Sequence, residues 1–262
     1  MRHPSLLPFV LVATLATACS SGHASHAAHP WGYTGAEGPE HWCDLDAANT
    51  ACCQGREQSP VDILASDAVA GPAPKLELVE PPSSFSVANN GHTLQATQQK
   101  GGGCGIFLGG TRYVLQQFHV HAPSEHAVDG KRAALELHFV HRSEEGKLAV
   151  VGVLVQPGDS NAELSKIWRV APDHEGEGGV ASDVDLAKVF PIARTNFRYP
   201  GSLTTPPCSE HVEWIVMASP ITMSEAELTR IRGMFAGAGF PSGNARPLQP
   251  IGLRTVVVDP GS

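Results

Sequence analysis

Hydrophobic and polar residues alternate with a period of two along several short segments of this chain. Side chains of a β-strand point alternately to the two faces of a sheet, so this period predicts strands. The segments that show it, or that are short apolar runs between turn signals, are residues 84–89, 112–121, 133–141, 147–156, 211–218 and 254–258. Glycine-containing breakers separate them, among them Asn90-Gly91, Asp129-Gly130 and Glu145-Gly146. The pattern predicts a mainly β domain.

Two segments predict short helices instead. Ser224 followed by Glu227 forms a capping-box sequence, which begins a helix that we expect to end near Phe235. Residues 161–168 form a second, shorter helical pattern after Asp159-Ser160. No internal repeat or second domain boundary is apparent, and residues 31–259 suit one domain.

The N-terminal 30 residues have the composition of an export signal and a spacer. An apolar run at residues 6–18 is too short to span a bilayer but suits a signal peptide, and Ala16 and Ala18 form an Ala-x-Ala cleavage site. We therefore predict a signal peptide at 1–18, a polar tether at 19–30 and a periplasmic or cell-envelope location. Cys19, followed by Ser-Ser-Gly, is a candidate for lipidation that would anchor the chain to a membrane.

Charge and cysteine content narrow the function further. A formal net charge of −8 argues against nucleic acid or an anionic membrane surface as a partner. Export favours disulfides, and the scattered cysteines contain no C-x-x-C pair that would indicate a zinc–thiolate site. Five cysteines follow the predicted lipidation candidate, an odd number that leaves one thiol without an internal partner: Cys43, Cys52, Cys53, Cys104 and Cys208.

The most informative segment is the strand that ends Gln117-Phe118-His119-Val120-His121. Residues two positions apart lie on one face and about 6.6 Å apart, so both imidazoles can reach a single metal ion. His138 lies on the next predicted strand, on the same face as Glu136 and Val140. Three histidines with a fourth position open to water are the ligand set of a catalytic rather than a structural zinc site.

The motifs around these histidines resemble those of the α-class carbonic anhydrases, in their family order and over nearly the whole chain after the tether. They include Gln58-Ser59-Pro60, Asn90-Gly91-His92, Ser124-Glu125-His126, Leu203-Thr204-Thr205-Pro206-Pro207 and Arg246-Pro247. The short link after His121 resembles the bacterial branch. The resemblance implies a single domain around a central, largely antiparallel twisted sheet of about ten strands, with short surface helices.

The resemblance also implies a zinc-dependent lyase that hydrates carbon dioxide reversibly to bicarbonate and a proton, through zinc-bound hydroxide. It implies that Gln117 orients His119 and that Glu136 orients His138, a role that strand geometry alone does not supply. The implied zinc ligands are His119, His121 and His138.

The remaining implied roles concern substrate and protons. Thr204 would accept the proton of the hydroxide and donate its own to Glu125, and Thr205 would line the bicarbonate site. His92 would carry protons to solvent through a water chain ordered by Tyr33, Asn90 and Gln95. The implied apolar wall for carbon dioxide consists of Val140, Val150, Leu203, Val212 and Trp214.

For the cysteines, the resemblance implies that Cys52 or Cys53 is joined to Cys208, with the choice between the two left open. The other of the two neighbours is a candidate to pair with Cys43. Cys104 departs from the family pattern and has no assigned role.

Three alternatives compete with this interpretation. The same zinc site could hydrolyse activated esters, which we expect only as a side activity. A non-catalytic, carbonic-anhydrase-like binding module is a second alternative, although such modules typically lose a zinc histidine and this chain keeps three. A zinc-scavenging lipoprotein is the third, suggested by histidines in the tether.

Overall fold

The computed structural model describes residues 31–71 and 73–261. The predicted signal peptide (1–18), the tether (19–30) and the candidate lipidation site Cys19 lie outside the described residues. None of the helices in the described part is long and apolar enough to cross a bilayer.

Strands dominate the described residues, and the helices between them are short. The four α-helices are α1 (Trp42–Leu45), α2 (Ala51–Gln54), α3 (Ala162–Val170) and α4 (Glu225–Met234). The strands are β1 (Asp62–Ile63), β2 (Val69–Ala70), β3 (Leu76–Val79), β4 (Ser83–Asn89), β5 (Leu94–Gln98), β6 (Gly105–Leu108), β7 (Thr111–His121), β8 (Ala127–Val128), β9 (Lys131–Arg132), β10 (Leu135–Ser143), β11 (Leu148–Pro157), β12 (Gly176–Val184), β13 (Asn196–Ser202), β14 (Glu210–Met217), β15 (Ile221–Met223) and β16 (Val257–Asp259).

One large sheet organises the fold. Its continuous path has the order β12-β4-β5-β7-β10-β11-β14-β13-β16-β2, and β3, β6 and β15 attach to this path. Three of its pairings are parallel (β11 with β14, β11 with β15, β16 with β2), and the others are antiparallel. The predicted fold, a largely antiparallel sheet of about ten strands with short surface helices, is confirmed.

The predicted strands mostly agree with the observed ones to within two residues. The segment 254–258 is the exception, because β16 begins only at Val257. The backbone N–H of Arg254 bonds to the carbonyl of Ile251 and closes a turn there instead. Strand β12 was not predicted, because its Gly-rich and mostly exposed sequence carries no hydrophobic alternation.

Both predicted helices form, and each begins at a side-chain cap. Asn161 Oδ1 accepts the backbone N–H groups of Glu163 and Leu164 at the start of α3. Ser224 and Glu227 form the complete capping box of α4.

The sheet separates the main core from a second apolar cluster, and this separation positions the functional residues. On β7, Phe118 and Val120 belong to the main core. His119 and His121 alternate with them and therefore face the other side of the sheet. Trp214, which lies on that other side, belongs to the second cluster. The predicted metal ligands thus lie between the large sheet and a separate apolar cluster.

Candidate metal centre

Strands β7 and β10 bring three histidine rings together. In their antiparallel register His138 lies directly opposite His119, while His121 is two positions further along the same face. The ring centroids are 5.0 Å apart for His119 and His121, 5.3 Å for His119 and His138, and 4.6 Å for His121 and His138. One ring nitrogen from each of the three lies within 4.8 Å of the others, so the three could hold one metal ion.

Side chains on the same two strands orient two of these rings. Gln117 Oε1 lies 2.8 Å from His119 Nδ1 and accepts its hydrogen bond. Glu136 Oε1 lies 3.1 Å from His138 Nε2, close enough for an ion pair but without the alignment of a hydrogen bond. An acceptor on one ring nitrogen fixes the tautomer and leaves the lone pair of the other nitrogen for a metal. Both contacts join the pairs that the family resemblance implied.

The third ring is oriented by a group that the sequence did not reveal. His121 Nδ1 lies 2.7 Å from the backbone carbonyl oxygen of Asn244, which can only accept, so Nδ1 carries the proton. His121 Nε2 is buried and has no hydrogen-bond partner among the described residues. A buried, unpartnered lone pair is costly unless a ligand engages it, so the donor set fits a metal ion.

Burial also keeps these rings neutral. It lowers the pKa of His121 to about 4, against a smaller opposing effect of the hydrogen bond to Asn244. The pKa values of His119 and His138 are lowered chiefly by burial as well. Neutral imidazole is the form that binds metals, so the protein holds these side chains ready for coordination.

A buried hydrogen-bond network extends from the histidines into the second apolar cluster. Glu136 Oε2 accepts the backbone N–H groups of Glu125 (2.9 Å) and His126 (2.8 Å), and Glu136 Oε1 lies 2.8 Å from His126 Nδ1. His126 Nε2 is 2.6 Å from the Tyr199 hydroxyl, which in turn is 2.9 Å from Ser59 Oγ. Because both nitrogens of His126 are engaged, this ring acts within the network rather than as a metal ligand.

The charge of Glu136 is stabilised by this network. Burial acts to raise the pKa of Glu136, but the combined effect of the adjacent His126 and His138 is larger and acts in the opposite direction. The pKa of Glu136 therefore lies well below its usual range. The carboxylate is therefore ionised beside His138 and increases the basicity of that ring.

The Glu125 carboxylate lies close to two of the three histidines. Its Oε2 lies 3.5 Å from His121 Nε2 and 3.8 Å from His138 Nδ1, and its Oε1 accepts the backbone N–H of Arg246 at 2.8 Å. Burial raises the pKa of Glu125, whereas His138, the Thr204 side chain and the Arg246 backbone act in the opposite direction. Glu125 therefore lies beside two of the three histidines, and its hydrogen bond to Thr204 stays a prediction.

A disulfide holds the loop that carries the threonines. Cys52 is bonded to Cys208, which resolves the choice that the sequence left open, and Cys43 is bonded to Cys53. The backbone N–H of Cys208 also bonds to the carbonyl of Thr205 at 2.9 Å. Cys104 is buried and has no disulfide partner in the part of the chain that the structure describes, and its Sγ lies 3.3 Å from both the carbonyl of Pro81 and Ser83 Oγ.

The predicted apolar wall forms one continuous surface. All five of its residues belong to the second apolar cluster, or pack directly against it: Val140, Val150, Leu203, Val212 and Trp214. The Trp214 ring lies 4.8 Å from that of His138, and its Nε1 donates to the Ser202 carbonyl at 2.9 Å. The apolar surface therefore adjoins the triad at His138.

His92 lies apart from the triad and is held by its neighbours. Its ring stacks on that of Trp31, with centroids 3.8 Å apart and planes inclined by 12°. Asn90 Oδ1 accepts the backbone N–H of His92 at 3.0 Å, so Asn90 builds the turn that carries it. Tyr33 is buried, and Gln95 lies opposite His119 in the pairing of β5 with β7. The roles of Tyr33, Asn90 and Gln95 in ordering water stay predictions.

Comparison with known proteins decides the family. A family model described as eukaryotic-type carbonic anhydrase matches residues 37–259. A carbonic anhydrase of Neisseria gonorrhoeae is 38% identical to this chain, over 98% of the chain and 99% of the relative. The chain belongs to the α-carbonic anhydrase family. The prediction of an enzyme of the carbonic anhydrase type is thereby confirmed.

Solved structures agree with this assignment at the level of the fold. The α-carbonic anhydrase of Thermovibrio ammonificans, in complex with the inhibitor sulfanilamide, superposes with a TM-score of 0.81 at 42% identity. The match covers 87% of this chain and 98% of that one. Dioscorin complexed with ascorbate also shares the fold, with a TM-score of 0.80 at 28% identity, over 88% of this chain and 98% of that one. The α-carbonic anhydrase fold alone therefore does not assign a ligand.

Proposed function

We propose that this chain hydrates carbon dioxide reversibly to bicarbonate and a proton, with zinc held by His119, His121 and His138. The observation that carries the proposal is the unpartnered Nε2 of His121, buried at the point where the three rings converge. Zinc, when bound there, would act as a Lewis acid and make water a nucleophile at neutral pH, an effect of which carbonic anhydrase is the standard example.

Three acceptors keep the histidines in the productive orientation. Gln117 Oε1 and the carbonyl of Asn244 each fix a tautomer through Nδ1, and Glu136 faces His138 Nε2. Loss of such an outer partner typically costs 10–100-fold in metal affinity. These residues therefore act on the metal through the histidines.

Thr204 and Glu125 orient the attacking oxygen. Glu125 Oε1 accepts the backbone N–H of Arg246, which leaves Oε2 to accept a hydrogen bond from the Thr204 hydroxyl. With its only O–H donated to Glu125, the Thr204 oxygen can only accept a hydrogen bond from the nucleophile. This direction of bonding turns the nucleophile's lone pair toward the substrate.

The substrate lies against the apolar wall. Carbon dioxide carries no charge, so a dry surface beside the nucleophile suffices to hold it, and Trp214 next to His138 provides that surface. Thr205, on the disulfide-held loop, lines the position of bicarbonate.

His92 removes the proton that each turnover releases. An imidazole titrates near neutral pH and can pass a proton from the interior to buffer. Tyr33, Asn90 and Gln95 order the water between His92 and the metal centre in this proposal.

The proposed function is tested by measuring the rate of carbon dioxide hydration by stopped flow and the zinc content of the same sample. We expect one zinc per chain and rapid hydration, both lost in His119→Ala and retained in His211→Ala, which removes an exposed histidine. Full zinc occupancy without hydration would contradict the proposal. It would favour the alternative of a non-catalytic binding module, since dioscorin, solved in complex with ascorbate, shares this fold.

We also propose that the chain is exported and anchored by a lipid on Cys19. The apolar run at 6–18 and the Ala-x-Ala site before Cys19 support this. Intact-mass analysis of protein from the native envelope tests it. A mature chain that begins at Cys19 without added acyl mass would exclude the anchor, and an uncleaved chain would exclude export by this signal.

A further inference from the structure

His92 is fixed in place by contacts on its ring and on both of its backbone groups. Trp31 covers one face of the ring, and Asn90 accepts the backbone N–H. Asn244 Nδ2 donates to the backbone carbonyl of His92 at 2.9 Å, and the same residue orients His121 through its own carbonyl. The ring position is therefore set by the protein rather than by solvent.

A carboxylate lies against the turn that carries this ring. Strand β12 pairs with β4 so that Gly176 faces Asn89, which places Glu175 beside the turn at residues 90–92. A Cβ added to Gly91 would lie 3.2 Å from both Cδ and Oε2 of Glu175. Gly91 also has a φ of +83°, so the bare backbone here serves both the turn and the approach of the carboxylate.

Within the described residues, the other side chains that contact His92 are uncharged. The N-terminal segment contributes an indole (Trp31), and the loop at Asn244 contributes an amide. On the loop before β12, Asp173 is engaged by the guanidinium of Arg230 at 2.8 Å, and His174 is exposed. Burial lowers the pKa of His92, and the charge of Glu175 acts in the opposite direction.

We propose that Glu175 is a positioning residue for proton transfer, which holds a negative charge beside His92 and so favours the protonated imidazole. The inference rests on the proposed function, in which His92 is the group that exports protons. A proton relay works best when the relay group is about as basic as its partners at the working pH. Glu175 thus partly counters the effect of burial and makes His92 a better proton acceptor than burial alone would leave it.

Nuclear magnetic resonance titration of His92 in the zinc-loaded enzyme tests the electrostatic contact directly. Glu175→Gln keeps the shape of the side chain and removes the charge. We expect the pKa of His92 to fall by roughly half a unit, the order of magnitude that one nearby charge contributes in water. Glu175→Lys should lower it about twice as far. Glu144→Gln, which makes the same charge change on the turn between β10 and β11, should leave it unchanged.

Turnover in weakly buffering solution gives the functional readout. The His92-dependent part of turnover, obtained by subtracting that of His92→Ala, should shift to lower pH in Glu175→Gln while kcat/KM stays as in the parent. The inference would be overturned if the pKa of His92 were the same in Glu175→Gln, Glu175→Lys and Glu144→Gln. Turnover unaffected by His92→Ala would instead contradict the proton-export role, and the titration would still decide on Glu175.

Discussion

Gly152 lies directly across from His138 in the β10–β11 pairing, and its lack of a side chain leaves the space that the Glu136 carboxylate occupies. A Cβ at this position would lie 2.8 Å from Glu136 Oε1 and 3.6 Å from the Trp214 ring. The Glu136 oxygens are already held by backbone N–H groups and by His126, so the carboxylate cannot move away without breaking those bonds. Gly152, on the strand next to β10, thus leaves the Glu136 carboxylate in the position from which it contacts the metal ligand His138.

Gly152→Ala should therefore weaken zinc binding. We expect a loss of about 10–100-fold in zinc affinity, as for other disturbed outer partners of metal ligands, measured by competition with a chelator of known affinity. Gly233→Ala is the matched control, because nothing lies within 4 Å of a Cβ added there in helix α4. Unchanged zinc affinity in Gly152→Ala would show that Glu136 does not depend on this space.

Removal of the Trp31 indole should raise the pKa of His92. Burial is the largest influence that lowers this pKa, and the stacked indole covers one face of the ring. Trp31→Ala should therefore bring the pKa closer to its ordinary value, in the opposite direction from Glu175→Gln, in the same magnetic resonance titration. Trp31→Phe keeps an aromatic face and should change it less. A fall of the pKa in Trp31→Ala would contradict this account of the stack.

The sheet and the metal triad could be predicted because both depend on a period of two. The alternation that turns Phe118 and Val120 into the core also turns His119 and His121 to the other face. His138 could be added to the predicted triad because the same period places it on one face of the next strand, together with Glu136 and Val140. Local pattern and tertiary position agree at these residues.

The rest of the site depends on contacts that carry no local pattern. The partner of His121 is the backbone carbonyl of Asn244, and a backbone group leaves no residue-specific signal in the sequence. The sequence alone does not distinguish Cys52 from Cys53 as the partner of Cys208. Only the direction of their side chains on α2 pairs Cys52 with Cys208 and leaves Cys53 to Cys43. Glu175 lies on a Gly-rich segment without periodicity, and its approach to Gly91 follows from the β4–β12 register.

A buried histidine outside the site should make stability depend on pH. Burial lowers the pKa of His141 to about 4, although backbone groups of Phe139 and Ala149 act in the opposite direction. The unfolded chain binds a proton on this residue near pH 6.5, and the folded chain only near pH 4. Between these values the unfolded state binds more protons, so the free energy of unfolding falls as the pH falls and levels off below about 4.

His141→Gln should reduce this dependence. The shift corresponds to at most about 3 kcal/mol between pH 7 and pH 4. Urea unfolding at pH 7.0, 5.5 and 4.5 with a chelator present, so that metal release adds nothing, measures the difference between parent and variant. His174→Gln, at an exposed site, should keep the parent's pH dependence. Parallel pH profiles for His141→Gln and its parent would contradict the assignment.

The two disulfides should differ in what their removal costs. Cys52–Cys208 spans 156 residues and Cys43–Cys53 spans 10. On the chain-entropy account the longer loop contributes about 5 kcal/mol and the shorter about 3 kcal/mol to the free energy of unfolding. We therefore expect a larger fall in urea midpoint when Cys52 and Cys208 are both replaced by serine than when Cys43 and Cys53 are.

Activity should separate the two pairs even more clearly than stability. The bond from Cys52 to Cys208 holds the loop of Thr204 and Thr205, and the Cys208 carbonyl accepts from Gln58 Nε2 at 3.1 Å. Loss of this bond should lower kcat while zinc content stays near one per chain, because the metal ligands lie on the sheet and not on the loop. The bond between Cys43 and Cys53 does not join the threonine loop to another element, so removal of this pair should retain kcat. An equal loss of kcat in both double variants would mean that general destabilisation, rather than the position of Thr204, limits turnover.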